Sequence, residues 1–151
     1  MRRLVGVLIG AALVTAPALA ERTRQEEANA KTVAAFLDTV FNKHQVADAF
    51  ARYVGDDYIQ HNPHVATGRE AGVKALSGLV AKFPQAHVEI IRIVVDGDMV
   101  AVHTHETKSA DERGSAIGEF FRLSNGKIVE HWDVIQDVMD PAQAKNPNGM
   151  F

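Results

Sequence analysis

The chain has 151 residues, no cysteine, and a formal charge of −3 from 16 basic and 19 acidic side chains. That length suits one compact domain, and the mild acidity argues against general nucleic-acid binding. Without cysteine there is no disulfide framework, thiolate metal site, cysteine nucleophile or lipidated anchor, so stability rests on the core.

Arg2-Arg3, an apolar run from Leu4 to Val14, and Ala16-Pro17-Ala18-Leu19-Ala20 predict a cleavable signal peptide over residues 1–20, cut before Glu21 behind the small residues Ala18 and Ala20. The run falls short of the roughly 20 apolar residues that a membrane-spanning helix needs. Residues 21–151 are therefore expected as a single exported domain, periplasmic or secreted and free of the membrane. Thr23 and Glu26 form a capping box ahead of Val33, Phe36, Leu37, Val40 and Phe41 at helical spacing. A second short helix carries Val46, Ala49, Phe50, Tyr53 and Val54, is expected to stop at a left-handed Gly55, and is followed by a turn at Asp56-Asp57. Tyr58 to Asn62 reads as an extended piece ended by Pro63. Thr67 and Glu70 predict another capping box, before a helix carrying Val73, Leu76, Val80 and Phe83 that Pro84 halts.

The remainder reads as β structure. Segments 87–95 and 99–108 flank Asp96-Gly97, and segments 115–123 and 127–136 flank Asn125-Gly126, two hairpin signals. Residues 140–151 read as a tail. Helices followed by hairpins predict an α+β domain, three N-terminal helices covering one face of a curved antiparallel sheet.

The order of elements, the stretch Tyr58-Ile-Gln-His-Asn-Pro63, the stretch Asn125-Gly-Lys-Ile-Val-Glu-His-Trp-Asp-Val-Ile-Gln136 and the ending Asn146-Pro-Asn-Gly-Met-Phe151 together resemble the SnoaL-like proteins of the nuclear transport factor two-like superfamily. The resemblance covers nearly all of residues 21–151. It implies a cone-shaped α+β barrel around one deep pocket, a homodimer, and a tail that folds over the cavity mouth. The superfamily holds polyketide cyclases, a steroid isomerase, an epoxide hydrolase, dehydratases and pockets that catalyse nothing, so fold alone does not choose a chemistry.

Alternation along the last strand puts Val129, His131, Asp133 and Ile135 on one face, and Ile128, Glu130, Trp132, Val134 and Gln136 on the other. A His and an Asp between aliphatic neighbours suit a proton-transfer pocket; on an exposed strand they would form only a surface pair. Burial disfavours a charged carboxylate and makes it a better base near neutrality, so Asp133 is the expected acid/base. The cyclase resemblance assigns the same role to Asp133. A three-residue loop, Ser124-Asn125-Gly126, would pair Glu119 with His131 and bring it to this face, whereas a two-residue turn would put it opposite Trp132. The bulged form is expected, because the steroid-isomerase resemblance places Glu119 at that relative's pocket acid. Phe121 is assigned to the same face as a substrate contact. By the family layout Tyr58, His61 and Asn62 approach the cavity, His61 as a catalytic group and the other two as substrate contacts. Asn62 stands where the steroid isomerase carries its aspartate base and Leu37 near its phenol, which argues against that isomerase activity.

His103 and His105 share a strand face, inward or outward, and make a candidate metal-ligand pair with His131 or Glu106 as completions, although Glu106 points to the opposite face. No closed ligand set is present, so no metal is assigned. Phosphate-binding and dinucleotide fingerprints are missing, and no cofactor is expected. Two functions follow. One is cofactor-independent enolisation or aldol-type chemistry on a small apolar carbonyl compound, with Asp133 as acid/base and His131, His61 and Asn62 orienting. The other is non-catalytic binding of a small apolar ligand. An exported location weakens the cyclase version, because polyketide assembly is cytoplasmic.

Overall fold

A computed structural model describes residues 21–151; the signal-peptide reading of residues 1–20 and its cut before Glu21 fall outside the described residues. Helix α1 (Arg24–Leu37) starts at the expected capping box: Thr23 Oγ1 accepts from the Glu26 N–H at 3.2 Å, and Glu26 accepts from the Thr23 N–H at 2.7 Å. Helical structure continues through one wider π turn, Asp38–Asn42, so Val33, Phe36, Leu37, Val40 and Phe41 all reach the core. Helix α2 (Val46–Tyr53) buries Val46, Ala49 and Phe50.

Two local expectations are corrected between α2 and α3. Gly55 is not a left-handed cap and Asp56-Asp57 is not a turn; strand β1 (Val54–Gln60) follows α2 directly and runs through all three. Val54 and Tyr58 are buried, and a register irregularity between Val54 and Ile59 leaves Asp56 and Asp57 facing water. The Thr67–Glu70 capping box does not form. Gly68 occupies the N-cap of α3 (Arg69–Lys82) at φ +100°, without a side-chain cap, because the Thr67 hydroxyl is spent accepting the Gln60 N–H at 3.2 Å.

The sheet comprises β1, β2 (His87–Asp96), β3 (Met99–Thr107), β4 (Ser115–Ser124) and β5 (Lys127–Asp137), in the order β1-β5-β4-β3-β2. β1 is parallel to β5 and the other pairs are antiparallel, so the sheet is mixed rather than wholly antiparallel. It curls around the helices without closing, since β1 and β2 remain edges. Val33, Leu37, Phe50, Val100, Phe121 and Ile128 form its fully buried centre, where Phe36 meets Phe50 and Phe121 edge-on at 5.4 and 6.2 Å.

The β4–β5 turn differs from the expected one in a way that matters for the site. Asn125 and Gly126 both have positive φ, +49° and +74°, and Ser124 pairs with Lys127, a two-residue turn. Left uncorrected, this register would set Glu119 opposite Trp132. A bulge at Val129 restores the face: Leu123 pairs with Ile128, Phe121 with His131, and Glu119 with Asp133. Ile128 thereby joins the inner face, against simple alternation.

Gly114 starts the last hairpin at φ +71°, and a Cβ there would lie 2.1 Å from the Glu106 carbonyl oxygen and 2.9 Å from Thr107 Cγ2. Gly114→Ala combines a left-handed alanine with a backbone clash, and is expected to cost about 2–4 kcal/mol of stability, read by denaturant unfolding. The tail makes one 3-10 turn, Pro141–Gln143. Its Phe151 rests on the outer face of the sheet, 5.6 Å from the His103 ring and 4.5 Å from that of His105, not over the cavity mouth.

Candidate active site

Inner-face alternation along the sheet decides which polar groups meet. Val100, Val102, Thr104 and Glu106 of β3 face Phe121, Glu119, Ile117 and Ser115 of β4, and Glu119 in turn faces Asp133. β1 and the residues that follow it bring Tyr58, Gln60 and Asn62 to the same side. Together with Phe36, Leu37 and Phe50 from the helices, these strands enclose a mostly apolar cavity of about 170 Å³. Volumes near 150 Å³ hold a benzene-sized molecule.

Asp133 lies on the cavity wall, and its two carboxyl oxygens accept from Asn62 Nδ2 at 2.9 and 2.8 Å. The amide is oriented by its other end, because Asn62 Oδ1 accepts the His64 N–H at 2.9 Å. Gln60 works in the same manner. Its Oε1 accepts the Asn62 N–H at 2.9 Å and faces His131 Nδ1 at 3.1 Å, so Nε2 is the end that donates to the Tyr58 hydroxyl oxygen at 2.8 Å. Asn62, Gln60, Tyr58 and His131 thus form one oriented network beside Asp133.

His131 donates through Nδ1 to that amide oxygen, which leaves Nε2 with the lone pair in the neutral ring. Nε2 is fully buried, 3.4 Å from Glu119 Oε2, and makes no hydrogen bond. Glu119 is 5% exposed and its Oε1 accepts the Thr104 hydroxyl at 3.2 Å. The Tyr58 phenol is pushed above its ordinary pKa by burial and by the nearby Asp133 and Glu119 carboxyls, and so remains a proton donor at neutral pH. Phe121 sits beneath the His131 ring, 4.7 Å between centroids, but is 1% exposed and belongs to the core rather than to the cavity lining, which corrects its assignment as a substrate contact.

His61 is corrected as well. It follows Gln60 by one residue, so its side chain turns to the outer face, where it stacks on Trp132 at 4.4 Å with the planes 5° apart. Its Nε2 lies 3.4 Å from Glu130, which also pairs with Arg122. His103 and His105 are on that outer face too: Arg92 donates to His103 Nδ1 at 2.7 Å and His105 Nε2 donates to the Arg113 carbonyl at 2.8 Å. They cannot meet Glu106 or His131 across the sheet.

Glu106 is the site residue that sequence reasoning missed. It lines the cavity, and burial, reinforced by Glu119 and Asp133, pushes its carboxyl up to about 8. The signal was available, since Val100, Val102 and Thr104 set an inward period that continues to Glu106.

The sequence profile of the SnoaL-like domain matches residues 33–131. Among solved structures, a proposed SnoaL-like polyketide cyclase from Jannaschia sp. CCS1 is 19% identical, covering 77% of this chain and 90% of its own, with a TM-score of 0.65. A nuclear transport factor two-like protein of unknown function from Mesorhizobium loti is 22% identical over 77% of this chain and 97% of its own, TM-score 0.63. An LEH-like epoxide hydrolase of M. tuberculosis is 20% identical over 74% and 84%, TM-score 0.59. No curated protein matches. At these identities the structural likeness establishes the fold. The profile match spans well over half of the residues, and the chain belongs to the SnoaL-like family.

Proposed function

We propose that this protein is a cofactor-independent acid/base enzyme that enolises a small, neutral, apolar carbonyl compound, with Asp133 as the base. The observation that carries the reading is Asp133 itself: a carboxylate at the wall of an apolar cavity, both oxygens held by one amide and its reactive edge fixed in place. Tyr58 supplies a phenol donor to the same space, and His131 donates through Nδ1 to Gln60, which in turn holds the Tyr58 hydroxyl. The cavity volume favours a single ring over the fused rings of a polyketide. In the same reading residues 1–20 direct export, and the exposed apolar patch of Phe120 and Val134, flanking Trp132 on the outer face, packs against a second copy.

The test is exchange of the α-protons of cyclohexanone in deuterated water, followed by mass spectrometry with residues 21–151. Exchange above the buffer rate supports the enzyme. Saturable binding of the same ketone without exchange supports the second reading, a non-catalytic ligand carrier built on the same mostly apolar cavity.

A further inference from the structure

We propose that Glu106 is a second catalytic group, the carboxylic acid that hands a proton to the oxygen of a neutral substrate while Asp133 takes one from the adjacent carbon. The proposal rests on the enolising reading above and adds the residue that makes it a two-carboxyl reaction. Three carboxyls, from Glu106 of β3, Glu119 of β4 and Asp133 of β5, line one small cavity of low polarity. They cannot all be ionised there without strong mutual repulsion.

The hydrogen-bond inventory decides which one keeps the proton. Asp133 accepts from the Asn62 amide at both oxygens, and Glu119 accepts the Thr104 hydroxyl. Glu106 has no hydrogen-bond or ion-pair partner among the described residues. Its cross-strand neighbours are Val88 and Ser115, and the groups facing it are the two other carboxyls, with Lys108 the one cation exerting a downward pull. A carboxyl with nothing to stabilise its charge stays protonated, and its O–H, lacking a protein acceptor, is left for a ligand lone pair. Burial and the neighbouring charges move its titration in the same direction, to about 8.

The step balances within the cavity. The Asp133 carboxylate removes the proton from the carbon beside the carbonyl, and the C–H electron pair becomes the new C=C bond. The carbonyl π pair then takes the Glu106 proton, giving a neutral enol, protonated Asp133 and ionised Glu106. Return of a proton to carbon from Asp133, and of the enol O–H proton to Glu106, restores both groups. In deuterated water the proton held by Asp133 exchanges with solvent before the reversal, which then leaves deuterium at carbon. The same arrangement repels anionic substrates, since Asp133 and Glu119 are already negative, and selects neutral molecules with an acceptor oxygen.

The experiment compares wild type, Glu106→Gln and Asp133→Asn in cyclohexanone α-proton exchange across pH 8, together with the infrared carbonyl stretch of protonated carboxyl groups. Because Glu106 must hold its proton to act, wild-type exchange is expected to fall as pH rises through about 8. Glu106→Gln is expected to be about 100-fold slower at neutral pH and to lack that alkaline fall. The infrared band is expected in the wild type and in Asp133→Asn at neutral pH, to fade above pH 8, and to be missing from Glu106→Gln. Wild-type protein without the band at neutral pH overturns the proposal whatever the variants do. Exchange that is lost in Asp133→Asn and unchanged in Glu106→Gln overturns the role of Glu106 alone. Absence of wild-type exchange overturns the enolising reading and, with it, this role.

Discussion

Asp133→Asn is expected to slow cyclohexanone α-proton exchange by about 10²–10⁴-fold, the usual contribution of a positioned general base, while the ketone still binds. The substitution keeps the side-chain volume, so the cavity wall stays closed. It removes the charge that accepts the proton and replaces one acceptor oxygen with an amide. Asn62 Nδ2 now meets two acceptor oxygens, and its orientation is fixed by the His64 N–H. An asparagine at 133 can offer it only one acceptor and must turn its own NH2 elsewhere. A modest stability loss of about 1 kcal/mol is the expected accompaniment, from one unmade hydrogen bond. Exchange kinetics and equilibrium dialysis of the same ketone, run side by side, separate the two effects. An unchanged exchange rate would remove Asp133 from the chemistry.

Phe50→Ala carries the largest expected stability effect, about 3–5 kcal/mol, a large part of the 5–15 kcal/mol typical of a folded domain. Phe50 is 2% exposed and sits where the helices meet the sheet. Its ring meets Phe36 edge-on at 5.4 Å and Tyr58 at 6.1 Å, and α3 presses Gly72 against it so closely that a Cβ on Gly72 would lie 2.6 Å from the ring. Truncation leaves a void bordered by Tyr58, a member of the site network, and enlarges a cavity that Phe50 helps to line. Thermal unfolding should fall by roughly 10–20 °C, and binding of cyclohexanone should weaken with the loss of packing around it. A loss below about 1 kcal/mol would show that the core is not organised around this ring.

The architecture was legible because its signals are periodic and local. Apolar residues at helical spacing from Val33 to Phe41 and the Thr23–Glu26 box each point to one structure, and both appear; Asn125-Gly126 marks a hairpin that also appears, with a shorter turn than expected. Local chemistry failed where tertiary packing outweighed it. Gly55 looks like a helix stop, yet burial of Val54 and Tyr58 draws the chain into a strand at once. The parallel pairing of β1 with β5 is a long-range choice with no local mark. Glu119 occupies the expected face by a different route from the one its turn signal suggests. The turn has two residues, and the compensating bulge at Val129 lies in an aliphatic stretch that gives no sign of it.

Site placement divides along the same line. Tyr58, Asn62, Glu119, His131 and Asp133 line the cavity, whereas His61 does not. Period two is strict enough that Asn62 inward requires His61 outward once β1 is extended. In the sequence Glu106 is overshadowed by the more conspicuous pair His103 and His105. Those two histidines share the outer face with Arg92 and Phe151, and it is their neighbour of opposite parity that enters the cavity.

The most direct measurement is an NMR titration of the isotopically labelled protein with cyclohexanone, following the Asn62 side-chain amide, the Asp133 carboxyl carbon and the Trp132 indole. A ligand seated against the carboxylate shifts the first two and leaves the indole, on the far side of the sheet, unmoved. Shifts confined to Trp132, with Asn62 and Asp133 silent, would contradict the account.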